Sequence, residues 1–390
     1  MPCPAALFLE SNKAIALPLT FSLVRHLEDI NAEQWDRLAG GHPLVSHAFL
    51  LALDQTGCAV AETGWSPHYL LLHRGDILQG AMPLYLKSHS RGEYVFDYAW
   101  AQAFEQHGLP YYPKLLSAIP FTPVPGPRLL AATHGDRVLL ARKAIEITGE
   151  NGISSLHILF PSNDDQAALK EAGFLFRENV QFHWFNQGYG NFDDFLASLS
   201  QQKRKKIKQD RKKSVQANVD FQWLQGDEID EDTLTFFYRC YHQTYMEHGN
   251  APYLSHDFFV KLRETMPASM VIVLAKKNGV PIASALNIRG QKTLYGRYWG
   301  CTEFVPGLHF ETCYMQAIAF CIAHNIDVFE GGAQGEHKLS RGLLPVQTCS
   351  AHWIRDQRYA KAITEFLARE TTGVHAYISE LQEHSPFKKT

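Results

Sequence analysis

Phe329-Glu330-Gly331-Gly332-Ala333-Gln334-Gly335-Glu336-His337-Lys338-Leu339-Ser340-Arg341-Gly342 continues an apolar run that begins at Ile326. Residues 326–329 predict a strand, and the strand feeds a loop rich in glycine and charge. Glycine lets a backbone take positive φ and approach a ligand closely. Glu, His, Lys and Arg among such glycines can bind a substrate or move a proton. The plainer reading of the same residues is a polar connection punctuated by glycines.

Working outward, 310–324 reads as a long helix and 270–275, 281–288 and 293–298 as strands. Asn278-Gly279 makes a tight turn between the first two of these. Helices are expected over 231–245 and 255–266, a strand over 219–224, and helical structure from Arg358 on. Phe192, Phe195, Leu196 and Leu199 form one apolar face at helical spacing. In the first half, helices are expected at 46–53, 99–107, 137–148 and 164–172, and strands at 68–73, 77–86, 93–98, 155–160 and 181–185. Six prolines lie between Pro110 and Pro127, which predicts a rigid loop there. The hairpin at 69–84, followed by 94–100, resembles the hairpin at 271–286, followed by 295–300. This suggests two copies of one α/β unit.

The chain has 390 residues, 45% hydrophobic and 20% charged, with a net charge of -3. Length favours two domains, and the near-neutral balance argues against a general polyanion binder. The charge is uneven. Lys203, Arg204, Lys205, Lys206, Lys208, Arg211, Lys212 and Lys213 are interrupted by one acid, Asp210. Seven scattered cysteines without a CxxC favour a reducing cytosol over a disulfide frame or zinc knuckle. Glu10 and Lys13 interrupt the N-terminal apolar residues, so a signal peptide is not expected, and no apolar run is long enough to span a bilayer. No HExxH, PCxxC, Gly-x-Ser-x-Gly, P-loop or G-x-G-x-x-G occurs, so metal hydrolase, deaminase, serine hydrolase and nucleotide-fold readings lack their residues.

LSQQKRKKIKQDRKKSVQANV (199–219) resembles the opening of FemAB-type acyltransferase domains, a branch of the GNAT superfamily. SHAFLLALDQTGCAVAETGWSPHYLLL (46–72), GAMPLYLKSHSRGEYVFDYAWAQAFE (80–105), YYPKLLSAIPFTPVPGPRLL (111–130), TLYGRYWGC (293–301) and FEGGAQGEHKLSRGLLPV (329–346) resemble the FemAB-like predicted N-acyltransferases of peptidoglycan biosynthesis or recognition. The resemblance covers about residues 20–370. It implies a mixed α/β fold of two GNAT-like units, an N-terminal one over 20–185 and a C-terminal acyltransferase unit over 190–385 with the basic helix at 201–215. A substrate cleft between them, with the 326–342 segment near their junction, is expected. It also implies transfer of an acyl or aminoacyl group to an amine, from acyl-CoA or aminoacyl-tRNA, with no tightly bound cofactor and no metal. The acceptor is expected to be a cell-wall precursor, an amino-sugar or a small amine, and the location cytoplasmic. The superfamily's usual Gln/Arg-x-x-Gly-x-Gly/Ala signature is missing. Only Gly307 remains of it, in Glu303-Phe304-Val305-Pro306-Gly307-Leu308-His309-Phe310.

Acyl transfer to an amine needs a proton acceptor, a polarised carbonyl and a protonated leaving group. Glu336 and His337 are candidate bases, with Glu311 as a third at the start of the long helix. Lys338 and Arg341 are candidate anion clamps, and Gln334 and His309 candidate substrate contacts. Arg297 and Trp299 share one face of their strand and Tyr298 the other. In the first half, Tyr85 and Lys87 share a strand face with His89. Glu93 and Asp97 share one on the next strand, so together these residues would form a polar cleft wall. Lys203, Lys205, Lys206, Arg211 and Gly307 are the candidate donor contacts, including a possible tRNA backbone. A non-catalytic binding protein of the same fold, recognising a peptidoglycan precursor or RNA, is the rival reading.

Overall fold

Met270-Val271-Ile272-Val273-Leu274-Ala275 is buried throughout, as a strand covered on both faces requires. The same logic shapes the centre of the molecule, which a computed structural model describes over residues 17–332 and 335–388. Its strands are β1 (Leu19–Val24), β2 (Trp65–Pro67), β3 (Tyr69–Arg74), β4 (Ile77–Met82), β5 (Tyr85–Lys87), β6 (Lys114–Ser117), β7 (Leu130–Ala131), β8 (Ser155–Leu159), β9 (Leu175–Phe185), β10 (Val219–Gln225), β11 (Met270–Lys277), β12 (Val280–Arg289), β13 (Thr293–Cys301), β14 (Val328–Glu330) and β15 (Leu344–Ile354). Together with a set of surrounding helices they make a mixed α/β architecture of GNAT-like units.

Two βαβ crossovers carry the repeat. β6 and β8 are parallel and joined through the helix His134–Glu150. β13 and β14 are parallel and joined through a helix that starts at Leu308 and ends at Ala323. Two copies of one α/β unit would each carry a sheet of their own. Instead an eleven-stranded sheet runs β10-β11-β12-β13-β14-β9-β15-β8-β6-β5-β2 through both halves, and a four-stranded sheet β1-β3-β4-β7 sits in the first. The seam is the antiparallel pair β14–β9. β15 returns from the C-terminal segment to lie between β9 and β8. Continuing one sheet across the seam pairs backbone edges that two sheets would leave open. The C-terminal helix Gln357–Glu383 packs on β9 and β15.

Three local expectations are corrected. Residues 93–98 form no strand. Tyr94 takes φ 62°, and Glu93 and Asp97 both turn inward onto Lys114. The proline-rich stretch hides β6, because Pro113 and Pro120 flank its four buried residues rather than interrupt them. β6 rather than 94–100 is therefore the counterpart of β13. Finally, the long helix carries a π-helical turn at Glu311–Met315, a local widening often found at functional sites.

Beneath Tyr94 lies a buried polar chain. Lys114 Nζ donates to Ser90 Oγ (2.7 Å), Glu93 Oε2 (2.8 Å) and Asp97. The Tyr111 hydroxyl donates to Asp97 Oδ2 (2.6 Å) and meets His157 Nε2 at 3.1 Å. The cross-strand pair His157 and His352 joins Nδ1 to Nδ1 at 2.7 Å. Burial pulls His157 down to about 3 and holds His352 well below the ordinary histidine value. An unfolded chain takes up protons below pH 6.5 that these native rings refuse. Stability is therefore expected to fall from pH 6.5 to 5, by roughly 2 kcal/mol per such histidine. Urea unfolding of the wild-type and of His352→Gln checks this. Equal pH slopes in the two proteins would contradict it.

Candidate functional site

β13 and β14 pair only from Thr293 with Val328 to Tyr295 with Glu330, and beyond that the two strands separate. Two features open them. β13 carries a bulge, since Leu286 faces Tyr298 while Asn287 faces Gly296, so Arg297 is the extra residue. Gly331 and Gly332 then lead the chain out of β14. A Cβ on Gly331 would lie 2.6 Å from Leu343 Cδ2, and Gly332 holds φ 86°. The gap is a cleft of about 300 Å³.

The bulge corrects the expected alternation. Arg297 and Tyr298 lie on the same side, with Arg297 Nη2 donating to the Tyr298 hydroxyl at 3.2 Å and to the Phe121 carbonyl at 2.8 Å. Trp299 instead packs on His309, ring centres 4.8 Å apart. One cleft wall is thus Trp299, His309 and Tyr314, and the other Arg297, Tyr298, Tyr245 and Tyr94. Burial, helped by His337, Arg341 and Lys338, pulls His309 down to about 4 and keeps it neutral. His309 and Tyr314 are five residues apart, and the π turn brings their rings within 5.6 Å.

The glycine-rich loop closes the cleft from below and divides its own candidates. His337 Nε2 lies 3.2 Å from the Tyr314 hydroxyl, and burial, then Arg341 and Lys338, lowers its pKa. Lys338 is buried and donates to the Gly332 carbonyl at 2.7 Å. Burial pulls it down to about 8. Arg341 stacks over Phe310 at 3.4 Å and donates to the His337 carbonyl at 2.6 Å. Glu336 faces the other way. It is exposed and accepts from the Tyr377 hydroxyl at 2.6 Å, in a second cavity of about 340 Å³ shared with Gln181 and Tyr94. Gln334 lies outside the described residues.

Glu311 is buried away from the cleft. Arg211 Nε donates to its Oε1 at 3.2 Å and Gln316 Nε2 at 2.8 Å. Arg211 also lies over Phe192. Gly307 abuts the basic helix Gln201–Gln216, and a Cβ there would sit 3.3 Å from the Asp210 carbonyl. The remaining hollow is about 20 Å³. Lys206 and Lys213 pair with Asp210 at 3.2 and 3.0 Å. Lys205, Lys208 and Lys212 are exposed, and Lys203 is half-buried. Among the described residues none of these four pairs with a carboxylate.

The first-half candidates are core residues rather than an exposed wall. Tyr85 packs on Trp65 and Tyr69. Lys87 lies 3.5 Å over Trp65 and 3.9 Å from Glu93. Burial works against the charge of Asp97, yet Lys114 beside it holds its carboxyl well below the usual range. Pairing among themselves let these charges enter the core, and alternation along a strand could not reveal that. Sequence reasoning missed Tyr94, Tyr245 and Tyr314 as cleft residues. It also missed Glu330, which burial pushes up to about 8 beside Arg297 and Arg128. The only sequence signal for Glu330 was its place between the strand and the first glycine.

A mixed α/β fold whose parallel strands part over a polar, aromatic cleft defines a protein of the GNAT-like class. The chain belongs to the FemAB-like family, described as peptidoglycan biosynthesis/recognition, whose profile matches residues 26–389. Among solved structures it is similar to FemX, at 13% identity and TM-score 0.55 over 86% of this chain and 98% of that one. It is also similar to the C-terminal domain of a protein named as a lysylphosphatidylglycerol synthetase from Agrobacterium fabrum, at 8% identity, TM-score 0.55, and 86% and 95% coverage. L-PGS from Bacillus licheniformis matches at 10% identity, TM-score 0.51, and 83% and 95% coverage. No curated protein is detectably similar in sequence. Among the described residues no helix is long and apolar enough to cross a membrane.

Proposed function

We propose that the protein transfers an aminoacyl group from a tRNA to an amine held in the cleft at the parting of β13 and β14. The observation that carries the choice of donor is at Gly307. A CoA pyrophosphate would need the N-terminal end of the helix that follows. There the backbone of Asp210 fills the approach, and the hollow left is too small for a pyrophosphate. The exposed lysines beside it suit a polynucleotide that lies across the surface.

In the reaction the amine nitrogen bonds to the ester carbonyl carbon and the carbon–oxygen bond to the ribose breaks. One proton leaves the nitrogen and one arrives on the ribose oxygen. Tyr314, with its hydroxyl in the cleft, relays the amine proton to His337 behind it and then protonates the leaving oxygen, and His337 returns its proton to the Tyr314 oxygen. Lys338, anchored at Gly332, places a cation near the developing oxyanion.

His337→Ala is expected to lower kcat about 10²-fold, while Glu336→Gln, which faces the second cavity, stays within a few-fold of wild-type. The acidic limb of the kcat/KM profile should lie below pH 6.5, because the His337 pKa is lowered and only its neutral form accepts a proton. Transfer of labelled amino acid from charged tRNA, run beside transfer from labelled acyl-CoA, measures all three. Turnover with acyl-CoA alone, or an unaffected His337→Ala, sinks the reading.

A further inference from the structure

The wall of the cleft formed by Arg297 and the tyrosines has a chemistry that proton transfer does not use. Arg297 spends its protein hydrogen bonds through Nη2 alone, on the Phe121 carbonyl, Thr122 Oγ1 (3.2 Å) and the Tyr298 hydroxyl. Among the described residues Nε and Nη1 donate to no protein atom, and no carboxylate lies within ion-pair distance of the guanidinium. Burial pushes Glu330 up to about 8 although Arg297 and Arg128 act against it. Two further hydroxyls join Tyr298 here. Tyr94 and Tyr245 line the same cleft as Arg297 and Tyr298. Burial raises both tyrosines above their ordinary values, so each keeps its proton and can donate it.

The placement is built. The bulge turns Arg297 and Tyr298 to one side. Tyr94 adopts a positive φ, which a bulky residue takes only when its surroundings impose it. Glu93 and Asp97, on either side of it, are both tied to Lys114. The basic helix lines a different hollow and contributes nothing to the lining of the cleft, so this end belongs to the acceptor rather than the donor. One guanidinium and neutral hydroxyls match a monoanion better than a dianionic phosphate.

We propose that Arg297, with the hydroxyls of Tyr94, Tyr245 and Tyr298, binds a carboxylate carried by the acceptor, so that the acceptor is an amino acid or a peptide residue with its amine directed at Tyr314. This rests on the amine-acceptor reading above. It is tested by direct binding, which needs no turnover.

Calorimetric titration of the full chain with glycine and glycinamide, L-alanine and L-alaninamide, and L-lysine and L-lysinamide compares matched amines. The carboxylate member is expected to bind at least about tenfold tighter in at least one pair. Arg297→Gln should abolish that preference, and Tyr245→Phe, which keeps the ring, should reduce it several-fold. Equal binding within every pair, no binding by any member, or inorganic phosphate binding more tightly than every carboxylate overturns the proposal. So does a preference that survives in both variants. The transfer assay from charged tRNA to the three amides is read separately. Transfer without carboxylate preference sinks the anion site and spares the transferase. Carboxylate preference without transfer to any amine does the reverse.

Discussion

Lys114→Met is expected to destabilise the protein by ~3–5 kcal/mol, the largest effect of any single side chain described above. Lys114 Nζ is fully buried and pairs with Glu93 and Asp97, which are also buried. Methionine conserves the volume and removes the charge. Asp97 would then keep one donor, the Tyr111 hydroxyl, and Glu93 only the distant Lys87 at 3.9 Å. Both carboxyls would have folded pKa values raised above their unfolded ones. The deficit is thus present above the unfolded carboxylate pKa and shrinks as pH falls through the raised values. Urea unfolding at pH 8 and pH 5.5 reads both features, and Lys114→Met with Asp97→Asn should recover part of the loss. A deficit below about 1 kcal/mol at pH 8 would mean the network is not held as the distances indicate.

Changing Lys203, Lys205, Lys208 and Lys212 together to Ala is expected to flatten the salt dependence of tRNA binding by about three units on a log–log plot. Each phosphate that a lysine no longer neutralises lowers the slope by roughly 0.7 to 0.9. Arg211 and Lys206 are left intact because they serve the fold. Arg211 neutralises buried Glu311, and Lys206 pairs with Asp210. The helix is held by Ile207 and Ser214, both buried and two turns apart, so the four lysines can go without loosening it. Filter binding from 50 to 400 mM salt, with thermal unfolding as the control for folding, measures the change. Parallel slopes for wild-type and variant would reduce the basic helix to a solvated face and remove the main support for a tRNA donor.

How much was legible varies with the range of the interaction concerned. The helix of 192–199, the Asn278-Gly279 turn, the strands 270–275 and 281–288 and the strand into Gly331 follow from periodicity and turn chemistry, which act over a few residues. The strand Lys114–Ser117 was hidden because proline density dominates the local signal. Only its pairing with β8 and β5 shows that the prolines flank a strand. The pairing of Arg297 with Tyr298 was hidden for a related reason. A bulge is decided by the register between two strands, and alternation within one strand cannot report it.

The sequence by itself determined the class: two α/β halves, a basic helix near the start of the second, and a strand running into glycines, His337 and Lys338. Those features rest on local spacing and on segments long enough to mark a family. Tertiary structure alone decided which charges face the cleft. Glu336 and His337 are neighbours in the chain, yet one meets Tyr377 and the other Tyr314. Lys87, Glu93 and Asp97 share a polar pattern with the cleft residues but are sealed around Lys114. The physical reason is that a charge can be buried only against a partner. Those partners, β6 for Asp97 and the basic helix for Glu311, come from segments 17 and 100 residues away.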